Sequence, residues 1–252
     1  MKRLVVTGGA SGIGAAVARA AAGAGSRVVV LDLADSDGIG DVDGVSFLRA
    51  DVTDADGMKA VMKSAATVMG GVDAVFAAAG MLGTMAPVEH LLPGEWRATL
   101  AVNLDGFFHT VRAAVPQMAA GGAIVGTSSI HGIRTHAAPG GVAYGVAKAG
   151  LVAFVQTSAV ELARHGIRIN AIAPGKVGGT RLLTQNNAAH DLEELQHERI
   201  ADIPLAGETT TDDIVAAVEF LLTDASRRVT GTVLPIDAGQ SLLGGGVLKG
   251  RP

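Results

Sequence analysis

The chain of 252 residues contains no cysteine. Disulfides and thiol catalysis are therefore excluded, and the absence is compatible with a reducing cytoplasm, where we expect the protein to reside. Aromatic side chains are also scarce, at 3% of residues, too few for a surface on which nucleic-acid bases stack. A net charge of −4 further disfavours contact with a phosphate backbone. We therefore expect no nucleic-acid partner.

Uninterrupted apolar runs are short. None approaches the ~20 residues that a transmembrane helix needs, so we expect a soluble protein with no membrane partner. The apolar start Leu4–Val6 ends at a Thr-Gly-Gly sequence, which is too early for the core of a secretory leader. A first β-strand is the better interpretation. The histidines show no metal-ligand spacing, and we predict no metal site.

Short β-branched runs alternate with alanine-rich helical stretches along the whole chain. This alternation predicts βαβ units in a parallel sheet, and continuous Val and Leu runs predict that helices cover both faces. We predict a single α/β domain over residues 1–252, a doubly wound Rossmann fold with a mostly parallel sheet of about seven strands. The predicted strands are Leu4–Thr7, Arg27–Leu31, Val45–Arg49, Ala74–Ala78, Ala123–Gly126, Ile167–Ala173 and Thr232–Ile236. The predicted helices are Ile13–Ala22, Asp54–Val68, Pro93–Met118, Ala143–Arg164 and Thr211–Leu222.

Two features qualify this outline. Pro235 has no N–H to donate to a neighbouring strand, so the last strand should lie at an edge or turn that position outward. The least regular stretch covers about residues 176–203. A long irregular segment inside an α/β domain is typical of an active-site lid, and an ordinary surface loop is the alternative.

A glycine-rich turn joins the first strand to the first helix. Gly8, Gly12 and Gly14 allow a tight turn and a close approach of the backbone to a pyrophosphate, with Ser11 and Ile13 between them. The N-terminus of the following helix offers unpaired N–H groups to phosphate oxygens. Glycine spacing alone is a weak signal in this glycine-rich chain, but its place between a strand and a helix predicts a dinucleotide site.

Asp32 ends the second predicted strand and is followed by Leu33. An acid at this place accepts hydrogen bonds from the adenosine ribose of NAD and repels a 2′-phosphate. No Arg or Lys lies within the glycine turn to bind that phosphate. We therefore predict NAD rather than NADP as the cofactor, against the alternative of a helix-capping or surface aspartate.

The chain has a single tyrosine, Tyr144, with Lys148 four residues later and Ser129 fifteen residues before it. On a helix the phenol and the ammonium would share one face. A neighbouring cation favours the phenolate, so we expect a lowered tyrosine pKa and a general acid/base that works near neutral pH. The Tyr-x-x-x-Lys spacing taken alone also arises by accident.

Taken together, these motifs resemble the short-chain dehydrogenase/reductase (SDR) family over essentially the whole length. The matching positions are Thr7, Gly8, Gly12 and Gly14 in the glycine turn; Asp51 and Val52; Asn103; Ser128, Ser129 and Gly132; Tyr144 and Lys148; Pro174 and Gly175; and Asp237 and Gly239. The resemblance implies an enzyme that transfers hydride between NAD(H) and a secondary alcohol or ketone.

By this resemblance, Tyr144 is the proton donor and acceptor, Ser129 holds the substrate oxygen, and Lys148 binds the nicotinamide ribose and lowers the tyrosine pKa. Asn103 bends its helix and holds a water of a proton relay. Val177 offers its backbone to the nicotinamide amide. The implied cofactor-binding residues are Gly8, Ser11, Gly12, Ile13, Gly14, Asp32, Leu33, Asp51, Val52, Ala79, Gly80, Tyr144, Lys148, Pro174, Gly175, Val177 and Thr180. The family also implies a homotetramer with the Pro93–Met118 and Ala143–Arg164 helices between subunits.

The sequence departs from the family pattern at three places. The usual Asn-Asn-Ala-Gly after the fourth strand is Ala77-Ala78-Ala79-Gly80, which loses both amides. The serine-to-tyrosine spacing is longer than in many relatives. The Pro-Gly-x-Val-x-Thr motif is one residue longer, which makes a cofactor contact by Thr180 less secure.

Other functions stay open at this point. An NAD-dependent epimerase of the extended branch would need a further substrate domain, for which 252 residues leave no room. A catalytically silent NAD-binding regulator or scaffold is the rival reading, although such proteins commonly lose a member of the catalytic set. For the substrate, loop residues suggest a small polyol, hydroxy acid or cyclic alcohol. These residues are Met81, Leu82, Ile130, His131, Arg134, His136, Arg181, Leu182 and Gln185.

Overall fold

The computed structural model describes residues 3–34, 38–133, 140–178, 203–205, 207 and 209–242. Its centre is a seven-stranded sheet of order β3-β2-β1-β4-β5-β6-β7, and every neighbouring pair of strands is parallel. The strands are β1 (Arg3–Thr7), β2 (Arg27–Asp32), β3 (Val45–Arg49), β4 (Val72–Ala77), β5 (Met118–Thr127), β6 (Arg168–Pro174) and β7 (Val233–Ile236). The strand order reverses between β1 and β4, which is the topological switch point where doubly wound folds bind ligands.

The central strands are mainly apolar because both faces of the sheet are covered. In β2, Val28 to Leu31 are at most 1% exposed. Alternate side chains of β1 and β2 belong to two separate cores: Val5 and Val29 lie in one, Leu4 and Val30 in the other. Burial on both faces explains why these runs do not alternate with polar residues, and it confirms the predicted fold class.

Seven α-helices of the described residues flank the sheet. They are α1 (Gly12–Gly23), α2 (Ala55–Met69), α3 (Pro93–Leu100), α4 (Gly106–Ala114), α5 (Ile130–Ile133), α6 (Val142–Ala163) and α7 (Thr211–Leu222). One core contains side chains of α2, α4 and α6, and the other contains side chains of α1 and α7. Short 3-10 turns follow at Asp224–Ser226 and Gln240–Leu242.

The predicted continuous helix Pro93–Met118 is wrong. Between α3 and α4 the chain forms a single π-helical turn, Ala101–Asp105, and after α4 a 3-10 turn, Val115–Gln117, leads directly into β5. Asn103 accounts for the first break, since its Nδ2 donates to the Thr99 carbonyl, 2.9 Å away, a group that an α-helix would pair with a backbone N–H. Pro116 contributes to the second because it has no N–H for the helical ladder.

The edge position of the last predicted strand is confirmed, because among the described residues β7 pairs with β6 alone, and Pro235 lies within it. Residues 179–202, most of the predicted lid, lie outside the described residues. The domain count refers to residues 1–252 as a whole and stays a prediction.

Helix α6 has the length and composition of a membrane-crossing helix, with a mean hydropathy of 1.3 over its most apolar window. Core helices of soluble proteins meet the same criterion. Here Leu151 and Val155 of α6 are buried in the core beneath the sheet, and its first turns carry Tyr144 and Lys148.

Candidate active site

A cavity of about 480 Å³ opens at the carboxyl ends of β1, β2, β4, β5 and β6, across the switch point. Its wall contains the predicted cofactor and catalytic residues Gly8, Ser11, Gly12, Ile13, Gly14, Asp32, Leu33, Asp51, Val52, Ala79, Gly80, Asn103, Ser129, Tyr144, Lys148, Pro174, Gly175 and Val177. Thr180 lies outside the described residues, as do Arg134, His136, Arg181, Leu182 and Gln185. The fold thus brings residues from along the whole chain to one edge of the sheet.

The glycine turn is packed too tightly for side chains. Gly8 has φ of +66°, and a Cβ there would lie 2.6 Å from the Ala79 Cα. A Cβ at Gly14 would lie 2.2 Å from the Gly8 carbonyl oxygen. Ser11 precedes α1 in an extended conformation and makes no side-chain cap, so it leaves the first N–H groups of α1 at the cavity unshielded. This backbone cradle fits a pyrophosphate.

The alanines that replace the family's amides lie directly against this turn. The Ala78 N–H donates to the Thr7 carbonyl at 3.0 Å, so the sheet-edge contact is made by backbone alone. The Thr7 hydroxyl is buried and has no hydrogen-bond partner among the described residues.

Asp32 is held at the opposite side of the glycine turn by backbone donors. The Ala10 N–H donates to one carboxylate oxygen at 3.0 Å, and the Ala34 N–H donates to the other at 3.2 Å. Next to it, Asp51 accepts from the backbone and hydroxyl of Thr53 at 2.8 and 2.7 Å. This end of the cavity therefore presents two oriented carboxylates, and the described wall residues there include no Arg or Lys.

Asn103 is almost fully buried in the π-helical turn and joins that turn to the segment after β4. Its Nδ2 donates to the Met81 carbonyl at 2.7 Å, and its Oδ1 accepts from the Met81 N–H at 3.3 Å. A Cβ at Gly80 would lie 2.9 Å from this Oδ1 and 3.4 Å from the Lys148 Nζ. Asn103 therefore fixes the backbone beside Lys148, from within the π-helical turn that separates α3 from α4.

Tyr144 and Lys148 lie one turn apart on α6 and meet the end of β5. Tyr144 makes a side-chain hydrogen bond with Ser129. The Lys148 ammonium donates to the Thr127 carbonyl at 2.8 Å and lies 5.5 Å from the centre of the tyrosine ring. The His131 ring stands at an edge-on angle to Tyr144, with centroids 6.0 Å apart. The backbone N–H of His131 donates to the Ser129 Oγ at 3.3 Å.

The expected lowering of the tyrosine pKa is wrong for the protein's own groups. Burial raises the pKa of the Tyr144 phenol, and the Ser129 hydrogen bond offsets only part of that rise. The ammonium of Lys148 bonds a carbonyl rather than the phenol, and burial lowers its own pKa to about 8. Desolvation therefore outweighs the attraction between the two groups.

An SDR family model, described as enoyl-(acyl carrier protein) reductase, matches residues 8–241. The chain belongs to the short-chain dehydrogenase/reductase family. A curated SDR relative, the cis-4-hydroxycyclohexanecarboxylate dehydrogenase of Sinomonas cyclohexanicum, is 36% identical over 93% of this chain and 94% of its own.

Solved SDR structures superpose closely. Levodione reductase has a TM-score of 0.86 at 31% identity, covering 96% of this chain and 98% of its own. NAD⁺-bound xylitol dehydrogenase has a TM-score of 0.84 at 28% identity, covering 93% of this chain and 97% of its own. The chain is thus an oxidoreductase of the SDR family with a small-molecule substrate.

Several wall residues of this SDR cavity were missed by the sequence interpretation. Thr127 offers only its backbone carbonyl to Lys148, which no residue pattern announces. Met81, which the sequence predicts beside the substrate, lies in the wall and offers its backbone to Asn103. Lys176 could have been noticed as a cation inside the Pro-Gly-x-Val motif. Within the described ranges, no group of three or more His, Asp or Glu is placed to hold a metal ion.

Proposed function

We propose that this SDR protein interconverts a secondary alcohol and a ketone with NAD(H), using Ser129, Tyr144, Lys148 and Asn103. The observation that carries the proposal is the convergence of Tyr144, Ser129 and Lys148 at the end of β5, in the same cavity as the glycine cradle. A phenol bonded to a hydroxyl at the wall of a ligand cavity is suited to move a proton to or from a substrate oxygen.

The residues present fit a dinucleotide. Gly8 and Gly14 allow the turn to close tightly, because a Cβ at either position would collide with the backbone, and the α1 N-terminus lies at the cavity beside this turn. Asp32 is oriented as an acceptor for ribose hydroxyls and repels a 2′-phosphate, which supports NAD over NADP. The bound nicotinamide would supply the hydride chemistry, and Val177 and Lys148 would hold that end of the cofactor.

The proton steps follow from the side chains. In the oxidation direction, Ser129 donates a hydrogen bond to the alcohol oxygen and Tyr144 accepts the hydroxyl proton; in reduction, Tyr144 returns a proton to that oxygen. Burial raises the pKa of Tyr144, so the phenol is protonated at neutral pH. The phenolate that oxidation requires becomes more abundant as pH rises. We therefore expect oxidation to be faster at alkaline pH than at pH 7.

The names of similar proteins and the residues of the cavity wall both indicate a class of substrate. The printed names of the similar proteins include a hydroxycyclohexanecarboxylate, levodione and xylitol. We propose a small polyol, hydroxy acid or cyclic alcohol. Lys176 lies in the cavity wall, and its charge would favour an acid among these three.

The test is NADH formation at alkaline pH over a panel of secondary alcohols, with NAD⁺ and NADP⁺ in parallel. The panel includes cis-4-hydroxycyclohexanecarboxylate, its methyl ester, xylitol and cyclohexanol. Turnover with NAD⁺ on related alcohols supports the proposal, and preference for NADP⁺ contradicts the role of Asp32. Silence across the panel with NAD⁺ still bound favours the regulator or scaffold instead.

We further propose a homotetramer, supported by apolar side chains on the outer faces of α4 and α6. Val160 is 79% exposed, and Phe108 and Val146 are 43% and 44% exposed. We expect Val160→Asp to dissociate the assembly in sedimentation experiments. Val68→Asp on α2, where the valine is 55% exposed, serves as the control. A wild-type protein that is monomeric at micromolar concentration would contradict the proposal.

A further inference from the structure

The segment that follows β6 forms part of the cavity wall and is attached to the end of β7 and the turn that follows it. Pro174 to Val177 line the cavity. The Gly175 N–H donates to the Ile236 carbonyl at 3.0 Å, and the Lys176 N–H donates to the Gln240 side-chain oxygen at 3.2 Å. The first of these hydrogen bonds joins two backbone groups, whereas the second depends on the Gln240 side chain.

The turn that carries Gln240 is itself rigid. The buried carboxylate of Asp237 accepts from the Gly239 and Ser241 N–H groups at 3.0 and 2.8 Å. Ala238 has φ of +53°, and its carbonyl accepts from the Leu205 N–H at 3.0 Å. A non-glycine residue is held in this conformation only where the surroundings fix it. Gln240 therefore projects from a fixed base.

The turn and the segment touch without spare room. A Cβ at Gly175 would lie 2.7 Å from the Gln240 Oε1 and 2.9 Å from the Asp237 Cβ. On the far side, Val177 bridges to Thr209, and the Gly178 N–H donates to the Thr209 carbonyl at 3.1 Å. Lys176 lies between the Gly175–Ile236 bond and the Gly178–Thr209 bond. The hydrogen bond from the Lys176 N–H to Gln240 therefore fixes the position of the adjacent Val177 backbone in the cavity wall.

We propose that Gln240 is a positioning residue for the nicotinamide end of the cofactor site. It acts through the Lys176 N–H on the Val177 backbone and does not line the cavity itself. The proposal rests on the proposed function, in which Val177 meets the nicotinamide. At the adenosine end of the site, Asp32 and Asp51 are held by hydrogen bonds from Ala10, Ala34 and Thr53, so that end should not depend on Gln240.

The test compares two ligands by calorimetry on the full chain: NAD⁺, and ADP-ribose, which lacks the nicotinamide. Gln240→Leu keeps the volume and removes the acceptor, leaving the Lys176 N–H unpaired. We expect its Kd for NAD⁺ to rise about tenfold while its Kd for ADP-ribose stays unchanged. Gln240→Glu keeps an acceptor oxygen and should restore the Kd for NAD⁺ to within about twofold of wild type.

Gln117→Leu is the matched control, since Gln117 is also half-buried and lies outside the cavity wall. Equal weakening of both ligands, no change in either, or failure of Gln240→Glu to restore binding would overturn the proposal.

If Gln240→Leu does not fold, Gly175→Ala should give the same selective loss, because its Cβ displaces the Gln240 amide. A wild-type protein that binds ADP-ribose but not NAD⁺ overturns only this inference, whereas binding of neither overturns the proposed function and this inference with it.

Discussion

The two halves of the cavity are built in different ways. On the β1–β2 side the wall consists of backbone and of carboxylates fixed by backbone N–H groups, at Gly8, Gly14 and Asp32. On the β4–β6 side it consists of buried polar side chains, Asn103 from the π-helical turn and Tyr144 and Lys148 from α6. The first half depends on close backbone packing, because a Cβ at Gly8 or Gly14 would collide with neighbouring backbone atoms. The second half depends on desolvation, because burial shifts the pKa values of Tyr144 and Lys148 in opposite directions. Substitutions should therefore abolish binding on one side and chemistry on the other.

The largest effect should come from Tyr144→Phe. Removing the phenol oxygen removes the group that moves the proton, so we expect kcat to fall by about 10²–10⁴-fold. The Kd for NAD⁺ should change little, because the variant leaves the glycine turn intact. Steady-state rates and NAD⁺ titration check both parts. Substantial turnover by the variant would contradict the catalytic role, and unchanged function of every kind would favour the scaffold.

Gly14→Ala should disrupt the glycine turn on the β1–β2 side of the cavity. Its Cβ would lie 2.2 Å from the Gly8 carbonyl oxygen, so either the turn or α1 must move. We expect the free energy of unfolding to fall by about 1–3 kcal/mol and NAD⁺ binding to be lost. Gly23→Ala, near the other end of α1, meets no atom within 4 Å and should be neutral or stabilising by up to about 1 kcal/mol. Urea unfolding of both variants, with NAD⁺ titration, measures the contrast. Equal effects would mean that helix propensity, and not the cradle, determines the outcome.

Lys148→Met should reveal the cost of burying the ammonium. Folding lowers the pKa of Lys148 from 10.5 to about 8, so between these values the unfolded chain binds more protons and stability rises with pH. Below pH 8 the penalty is about 3 kcal/mol. The methionine variant should therefore gain stability relative to wild type at pH 7, and this gain should shrink between pH 8 and 10. Above pH 10 the raised pKa of Tyr144 acts in the opposite direction, so the comparison ends there. A difference in stability that does not vary with pH would contradict the assigned burial cost.

Asp32→Asn should have the smallest effect and should act on the choice of cofactor alone. Removing the charge removes the repulsion of a 2′-phosphate, so the ratio of kcat/KM for NADP⁺ to that for NAD⁺ should rise about tenfold. Asp56→Asn, on the exposed first turn of α2, is the control. A wild-type enzyme that already prefers NADP⁺ would contradict the NAD assignment.

The two halves of the cavity differ in how much of their structure the sequence predicted, and the difference has a physical reason. The glycine turn and Asp32 lie within one βαβ unit, where local spacing determines geometry, and the structure places each of them in the cavity as predicted. Helix α6 and the Tyr144–Lys148 pair were also predictable, because side chains four residues apart share a helical face. The division of the predicted Pro93–Met118 helix was not, because it arises where the Asn103 side chain bonds the carbonyls of Thr99 and Met81. The cytoplasmic localisation, the contact by Thr180 and the homotetramer stay predictions.

The sequence by itself determined the fold class, the positions of most strands and the identity of the residues that meet at the switch point. The fold class, the strands and the glycine turn follow from hydrophobic pattern and glycine spacing, which are local properties. Asp51, Asn103 and Ser129 were assigned by the resemblance to the SDR family. Only the tertiary structure decided the direction of the Tyr144 and Lys148 pKa shifts and the attachment of the Pro174–Val177 segment to Gln240. Desolvation depends on what surrounds a group from every side, and a contact between residues 176 and 240 depends on the adjacency of β6 and β7. Neither the desolvation of a group nor this contact can be predicted from the spacing of residues along the chain.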